Sequence, residues 1–219
     1  MKIQFETGNG PADCTIETLT VAGWTGRDTA AVQHHIDELA AIGVAPPSTI
    51  PLFYRLSSAL LTTETEVEFL GATSSGEAEP MLIRQDGRIW LGLASDHTDR
   101  ELETVSVAAS KQVCAKPCGK ELWPWESVSD HVDELRIRSW IFEGGDWKLY
   151  QEGTLGQIRR LDELMQGASL SDGSAMLCGT FSAIGGVRPS EGFRATMTDP
   201  VTGREMSLEY RSKVLPVIS

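Results

Sequence analysis

Gly76-Glu77-Ala78-Glu79, then Ser95-Asp96-His97-Thr98-Asp99-Arg100-Glu101, then Ala115-Lys116-Pro117: these pieces of the stretch 76–117 govern the reading of the chain. Side chains alternate along an extended segment, so Glu77 and Glu79 project from one face. Asp96 adds a third carboxylate at the end of the apolar run Ile89-Trp90-Leu91-Gly92-Leu93-Ala94, and Lys116 adds a cation. Such groups are costly to bury unpaired. A hard divalent cation held by Glu77, Glu79 and Asp96 would remove that cost, with water or substrate completing its shell. Two other readings stay open from the residues alone. Glu77 and Glu79 could be a solvated strand face, and Glu64, Glu66 and Glu68 alternate in the same way. Glu77 and Glu79 are preferred because Gly76, Ala78, Pro80 and Met81 around them are small or apolar, and sites are built where strands end in loops.

Outward from this stretch, Met81 to Arg84 and Arg88 to Ala94 read as a hairpin around Asp86-Gly87. Residues 12–22, Phe53 to Arg55 and Glu66 to Leu70 read as further strands, as does much of 174–219. Arg136 to Phe142 and Asp146 to Gln151 form a second hairpin around Gly144-Gly145. Asp28 caps a helix running to about Ile42, with Val32, Ile36 and Leu39 as its apolar stripe and Gly43 as its stop. Leu155, Ile158, Leu161 and Met165 predict another helix ending at Gly167, and a short one falls within Val128 to Leu135. Short strands, a few helices and 21 glycines make a mixed, β-rich α+β fold.

His35 and Glu38 lie three residues apart on that first helix and neighbour each other on one flank, whereas His34 points away. A carboxylate beside an imidazole makes a general base, or simply a surface pair of small energetic consequence.

The 219 residues, 41% hydrophobic, suffice for one domain over 1–219, with 1–22 as a small N-terminal extension or strand. A formal net charge of -12 argues against nucleic acid and anionic membranes as partners. No apolar run approaches a bilayer span, and MKIQFETGNG lacks a leader's apolar stretch, so a soluble cytoplasmic protein is expected. Cys14, Cys114, Cys118 and Cys178 fit neither a disulfide framework nor a zinc site, and read as reduced, buried thiols.

Several segments, in order, resemble the fumarylacetoacetate hydrolase-like superfamily, as a divergent bacterial branch. Pro51-Leu52-Phe53-Tyr54-Arg55-Leu56-Ser57-Ser58-Ala59 is similar to its P-x-F-x-K-P-S-x-A segment, Glu77-Ala78-Glu79 to its E-x-E metal pair, and Asp96 to Glu103 to its D-x-(S/T)-x-R-D-x-Q segment. Ala115-Lys116 resembles its active-site lysine, Tyr150 to Thr154 its R-Q-x-x-x-T stretch, and Ala175 to Thr180 its I-L-T-G-T-P signature. Arg55 replaces a lysine, Phe181 replaces a proline, and His35 stands farther from Gly26-Arg27-Asp28 than the family's histidine does.

The resemblance implies a β-roll of curved sheets with a few short helices, and a homodimer. It implies metal-dependent hydrolysis or lyase cleavage of a carbon–carbon bond in a small dicarbonyl or oxo-acid. Mg2+, or Mn2+ or Ca2+ in its place, would bind Glu77, Glu79 and Asp96 and act as a Lewis acid. Lys116 would stabilise the enolate, His35 with Glu38 on a lid helix would activate water, and Arg27, Arg55 and Thr180 would hold a substrate carboxylate. The alternatives are an isomerase or tautomerase of the same superfamily, and a binding protein that keeps the fold without catalysis.

Overall fold

The computed structural model describes residues 1–41 and 46–218, the side chains of His35, Glu38, Leu39 and Ala41 excepted. The chain opens with β1 (Lys2–Thr7), β2 (Gly10–Thr15), β3 (Thr18–Gly23) and helix α1 (Thr29–Ala41), followed by β4 (Leu52–Leu56), β5 (Leu61–Thr62), β6 (Glu66–Leu70) and β7 (Ser74–Ser75). The hairpin β8 (Ala78–Gln85) and β9 (Arg88–Ser95) leads into β10 (Thr98–Asp99), helices α2 (Arg100–Glu103) and α3 (Val107–Gln112), β11 (Lys116–Pro117) and β12 (Glu121–Pro124). A second hairpin, β13 (Arg136–Glu143) and β14 (Asp146–Thr154), precedes helix α4 (Leu161–Gly167), β15 (Ser174–Leu177), β16 (Gly192–Thr198) and β17 (Glu205–Leu215).

Eight strands form a curled sheet in the order β2-β1-β12-β9-β8-β15-β3-β4, and five form a second sheet, β14-β13-β16-β17-β6. Within residues 1–22, expected as a small N-terminal extension or strand, β1 pairs in parallel with β12 of the large sheet. Strand period explains the burial. On β8, Leu82 packs toward the second sheet with Ile137, Phe193 and Leu208, while Met81 and Ile83 join Ile3, Phe5, Leu19 and Leu177 on the other face. Both faces of the large sheet are therefore covered. Glu79 shares its face with Met81 and Ile83, so it enters the second core rather than the layer between the sheets.

The Asp86-Gly87 turn has φ +52° and +73°, the backbone that this dipeptide favours in a two-residue hairpin. Asp28 Oδ1 caps α1 by accepting from the N–H of Ala30 and Ala31, and Ile36 is buried. All four cysteines are free and buried.

Two expectations are corrected. Residues 12–22 do not form one strand: β2 ends at Thr15, and both Glu17 and Thr18 donate to the Gly173 carbonyl as the chain enters β3. Leu155 to Met165 do not form one helix. Ile158 makes an isolated bridge with Gly26, Arg27 N–H bonds Gln157 O, and Arg159 N–H bonds Thr25 O, so long-range pairing takes the backbone groups a helix needs. Only α4 is helical.

Candidate functional site

The ends of β8 and β9 bring the acidic residues together. Ala78 pairs with Ser95 and Glu79 with Ala94, and Asp96 N–H donates to Glu77 O at 2.9 Å. The backbone between the two glutamates is clamped: Ala78 N–H donates to Gln151 Oε1 (2.9 Å), and Thr180 Oγ1 donates to Ala78 O (2.8 Å). Gln151 is itself fixed, accepting from Ser139 Oγ and donating to Thr180 Oγ1 and Phe181 O. Glu79 Oε2 accepts from Gly179 N–H at 2.8 Å.

Three cations face these carboxylates. Arg100 Nη2 pairs with Glu77 Oε2 at 3.0 Å, Lys111 Nζ donates to Asp96 Oδ2, and Lys116 Nζ lies 3.2 Å from Asp96 Oδ1. Glu79, Asp96, Lys111 and Lys116 are all buried, while Glu77 and Arg100 keep about 15% of their side-chain surface. Burial pushes the Glu79 carboxyl well above its ordinary range, and the charge of Asp96 adds to the rise. Burial would raise Asp96 too, but the two ammonium groups reverse that and hold it below the carboxylate norm. Burial would lower Lys111, yet Asp96, Glu77 and Glu79 together carry it above an ordinary lysine. Lys116 goes the other way, lowered by burial and by Lys111.

The two lysines differ in what they have left to offer. Lys116 donates to His97 O, to Lys111 O (2.6 Å) and to Asp96, which accounts for all three N–H groups of an ammonium. It ties Asp96 to the backbone at Lys111. Among the described residues Lys111 has one hydrogen bond, to Asp96, and its Nζ lies 5.8 Å from the Tyr54 ring centroid. Two of its N–H groups remain to meet a ligand. His97 is a wall of the site: Nδ1 meets Tyr210 Oη and Nε2 meets Ser74 Oγ, Phe69 stacks on its ring at 3.6 Å, and burial drives it toward the neutral form.

Of the residues expected to bind substrate, Thr180 follows Gly179, whose N–H holds Glu79, and its hydroxyl bonds Ala78 O and Gln151 Nε2. Arg55, on β4, is exposed and donates to Thr18 Oγ1, while its neighbour Tyr54 turns toward Lys111. Arg27 forms a bidentate pair with Asp133 and lines a cavity of about 180 Å³ with Arg159 and Arg160, among residues separate from the cluster. The side chains of His35 and Glu38 lie outside the described residues. Glu66 and Glu68 are exposed on the edge strand β6, and Glu68 pairs with Lys213, so the upstream acidic set faces solvent. A cavity of about 370 Å³ at Arg84, Ile89 and Met165 sits at the opposite end of the β8–β9 hairpin from the cluster.

Do Glu77, Glu79 and Asp96 fit a divalent cation? Their chemistry suits a hard metal. Their arrangement does not. Both Asp96 oxygens face ammonium groups, a Glu77 oxygen faces Arg100, and among the described residues no three acidic, histidine or cysteine side chains group closely enough to share an ion.

The family model described as "Protein of unknown function (DUF2848)" matches residues 22–210. The chain belongs to this family. No curated protein matches it in sequence. The DUF2848 chain is similar in fold to "2-keto-3-deoxy-D-arabinonate dehydratase complexed with magnesium and 2,5-dioxopentanoate", at 14% identity over 95% of this chain and 78% of that one, with a TM-score of 0.66. It is also similar to 5-carboxymethyl-2-hydroxymuconate delta-isomerase from Mycobacterium smegmatis (14% identity, 100% of both chains, TM-score 0.64). A third is 2-hydroxyhepta-2,4-diene-1,7-dioate isomerase from Mycobacterium marinum (12% identity, 100% and 99% covered, TM-score 0.64). These likenesses establish the fold: a fumarylacetoacetate hydrolase-like β-roll, as the sequence implied.

Lys111 is the functional candidate that motif reading missed. It stands alone among small residues (Ala108, Ala109, Ser110), five positions before the lysine that the motif favours. Charge accounting would have flagged it, since three carboxylates headed for one site need more than one cation.

Proposed function

We propose that this protein is an enzyme acting on a small oxo-acid or dicarbonyl, as a lyase or an isomerase/tautomerase, at the cluster of Glu77, Glu79, Asp96 and Lys111. The observation that carries the reading is a buried lysine that, among the described residues, spends one N–H on Asp96 and is set beside the carboxylates at the ends of β8 and β9. That is the equipment enolate chemistry needs. A carboxylate of the cluster takes the proton from the carbon beside the carbonyl, and the electron pair moves onto the carbonyl oxygen. Lys111 hydrogen-bonds the oxyanion as it forms. Returning the proton to another carbon completes an isomerisation; departure of a group from the neighbouring carbon completes a lyase reaction. Lys116 acts as a positioning residue, its N–H groups being spent on Asp96, His97 O and Lys111 O. The dehydratase and isomerases of the same fold support this class of chemistry.

The second reading is metal-assisted cleavage of a carbon–carbon bond, by a hydrolase or lyase holding Mg2+ on Glu77, Glu79 and Asp96. The magnesium in the similarly folded dehydratase favours it, and it requires Lys111 to leave Asp96. A homodimer belongs to either reading and is tested by light scattering.

The deciding experiment screens oxaloacetate, acylpyruvates and related 2-oxo acids by proton NMR, with and without divalent metal. Turnover of at least one is expected. Lys111→Ala should lower kcat at least about 100-fold, the usual scale for losing an oxyanion donor. Saturable binding with no turnover would replace the enzyme by a binding protein. A far larger loss in His35→Ala than in His34→Ala would select the hydrolytic form.

A further inference from the structure

We propose that Lys111 is a built-in cation: its ammonium holds the place among Glu77, Glu79 and Asp96 that a divalent ion would take, and metal enters only when it withdraws. The proposal takes from the functional reading only the location of the site.

Three features carry it. The first is charge. Three cations face the three carboxylates Glu77, Glu79 and Asp96: Arg100 pairs with Glu77, and Lys111 and Lys116 both pair with Asp96, so the formal charges of the six groups cancel without any added ion. Adding a divalent ion leaves two positive charges in a buried place unless anionic substrate accompanies it.

The second is position. Lys111 Nζ donates to Asp96 Oδ2 and Lys116 Nζ closes on Asp96 Oδ1, so an ammonium stands at each oxygen that a metal would need there, while Arg100 is drawn outward by Glu103 and Ser75 Oγ.

The third is anchorage. Lys111 lies in α3, whose N-terminus is capped by Ser106 Oγ accepting from Ala109 N–H, and its own carbonyl is held by Lys116. The Tyr54 ring flanks the ammonium. A tethered lysine fixed at its backbone presents its charge at an effective concentration that free metal must outcompete.

The test is metal binding. Chelator-stripped wild type and Lys111→Met, which keeps the length of the side chain and removes its charge, are titrated with Mn2+ and with Mg2+ by calorimetry. Lys111→Met should bind at least about tenfold more tightly, because the tethered competitor is gone. Equal or weaker binding by Lys111→Met overturns the proposal. If that variant does not fold, wild-type melting decides. With about 10 mM Mg2+ against chelator, a melting temperature unchanged within about 1 °C supports the built-in cation, and a rise of several degrees overturns it. Neither readout uses turnover, so failure here leaves the oxo-acid reading to stand or fall on the substrate screen.

Discussion

Among the described residues Glu79 has one backbone anchor, the N–H of Gly179, and that anchor depends on there being no side chain at residue 179. Gly179 has φ +103°, a region L residues rarely occupy, and a Cβ there would land on the buried Thr25 hydroxyl. Gly179→Ala is expected to destabilise the fold by about 1–3 kcal/mol through backbone strain and the displaced Thr25. It should also reduce turnover beyond what the stability loss explains, because the N–H aimed at Glu79 moves. Urea unfolding together with kinetics checks both, and unchanged values in both would mean the loop re-routes without cost. The same scale separates the two lysines. The motif pointed to Lys116, whose three N–H groups are taken by His97 O, Lys111 O and Asp96, whereas among the described residues Lys111 donates to Asp96 alone.

At the scale of elements, the connection from β16 to β17 shows how one carboxylate fixes a turn. Asp199 has no solvent exposure and accepts from Val201 N–H, Thr202 N–H, Thr202 Oγ1 and Arg204, while His131 Nε2 lies 3.0 Å from it. Burial alone would raise its pKa, but these donors, Thr202 and His131 foremost, hold it far below the ordinary carboxylate range. A lowered folded pKa contributes stability that is fully present above the unfolded value of about 4 and is lost as pH falls through the folded value. Asp199→Asn should therefore cost about 1–3 kcal/mol near pH 7. Its deficit against wild type should shrink as pH drops below about 4. Chemical denaturation along a pH series tests this, and a deficit that stays constant into acid would show that the side chain's shape, not its charge, fixes the turn.

At the scale of the molecule, the surface is strongly acidic, with a formal net charge of -12, and several of its ion pairs are exposed, such as Arg138–Glu152, Arg160–Asp162 and Lys213–Glu68. Exposed pairs contribute little and are screened by salt. Self-repulsion of a dozen unbalanced charges is screened as well. We expect the second effect to win, so melting temperature should rise by a few degrees between about 0.01 and 0.5 M NaCl. A fall would mean that the exposed pairs outweigh the repulsion. Among the described residues no helix is long and apolar enough to cross a membrane.

What the sequence determined by itself was everything governed by neighbours along the chain. The period of two set Leu82 on one face of β8 and Met81 and Ile83 on the other, Asp86-Gly87 and Gly144-Gly145 closed their hairpins, and Asp28 capped its helix, because alternation, turn backbone and capping are set within a few residues. The collinear motifs led to the β-roll for the same reason: each is a short local pattern. Which groups meet across long separations came from the packing of the folded chain. The bridge from Gly26 to Ile158 cut short the expected helix, and Asp133 took Arg27. Side-chain direction on β4 sent Arg55 to the surface and Tyr54 toward Lys111. Lys111 met Asp96 because α3 packs against β4 and β10, and no local pattern records where a buried charge will find its partner.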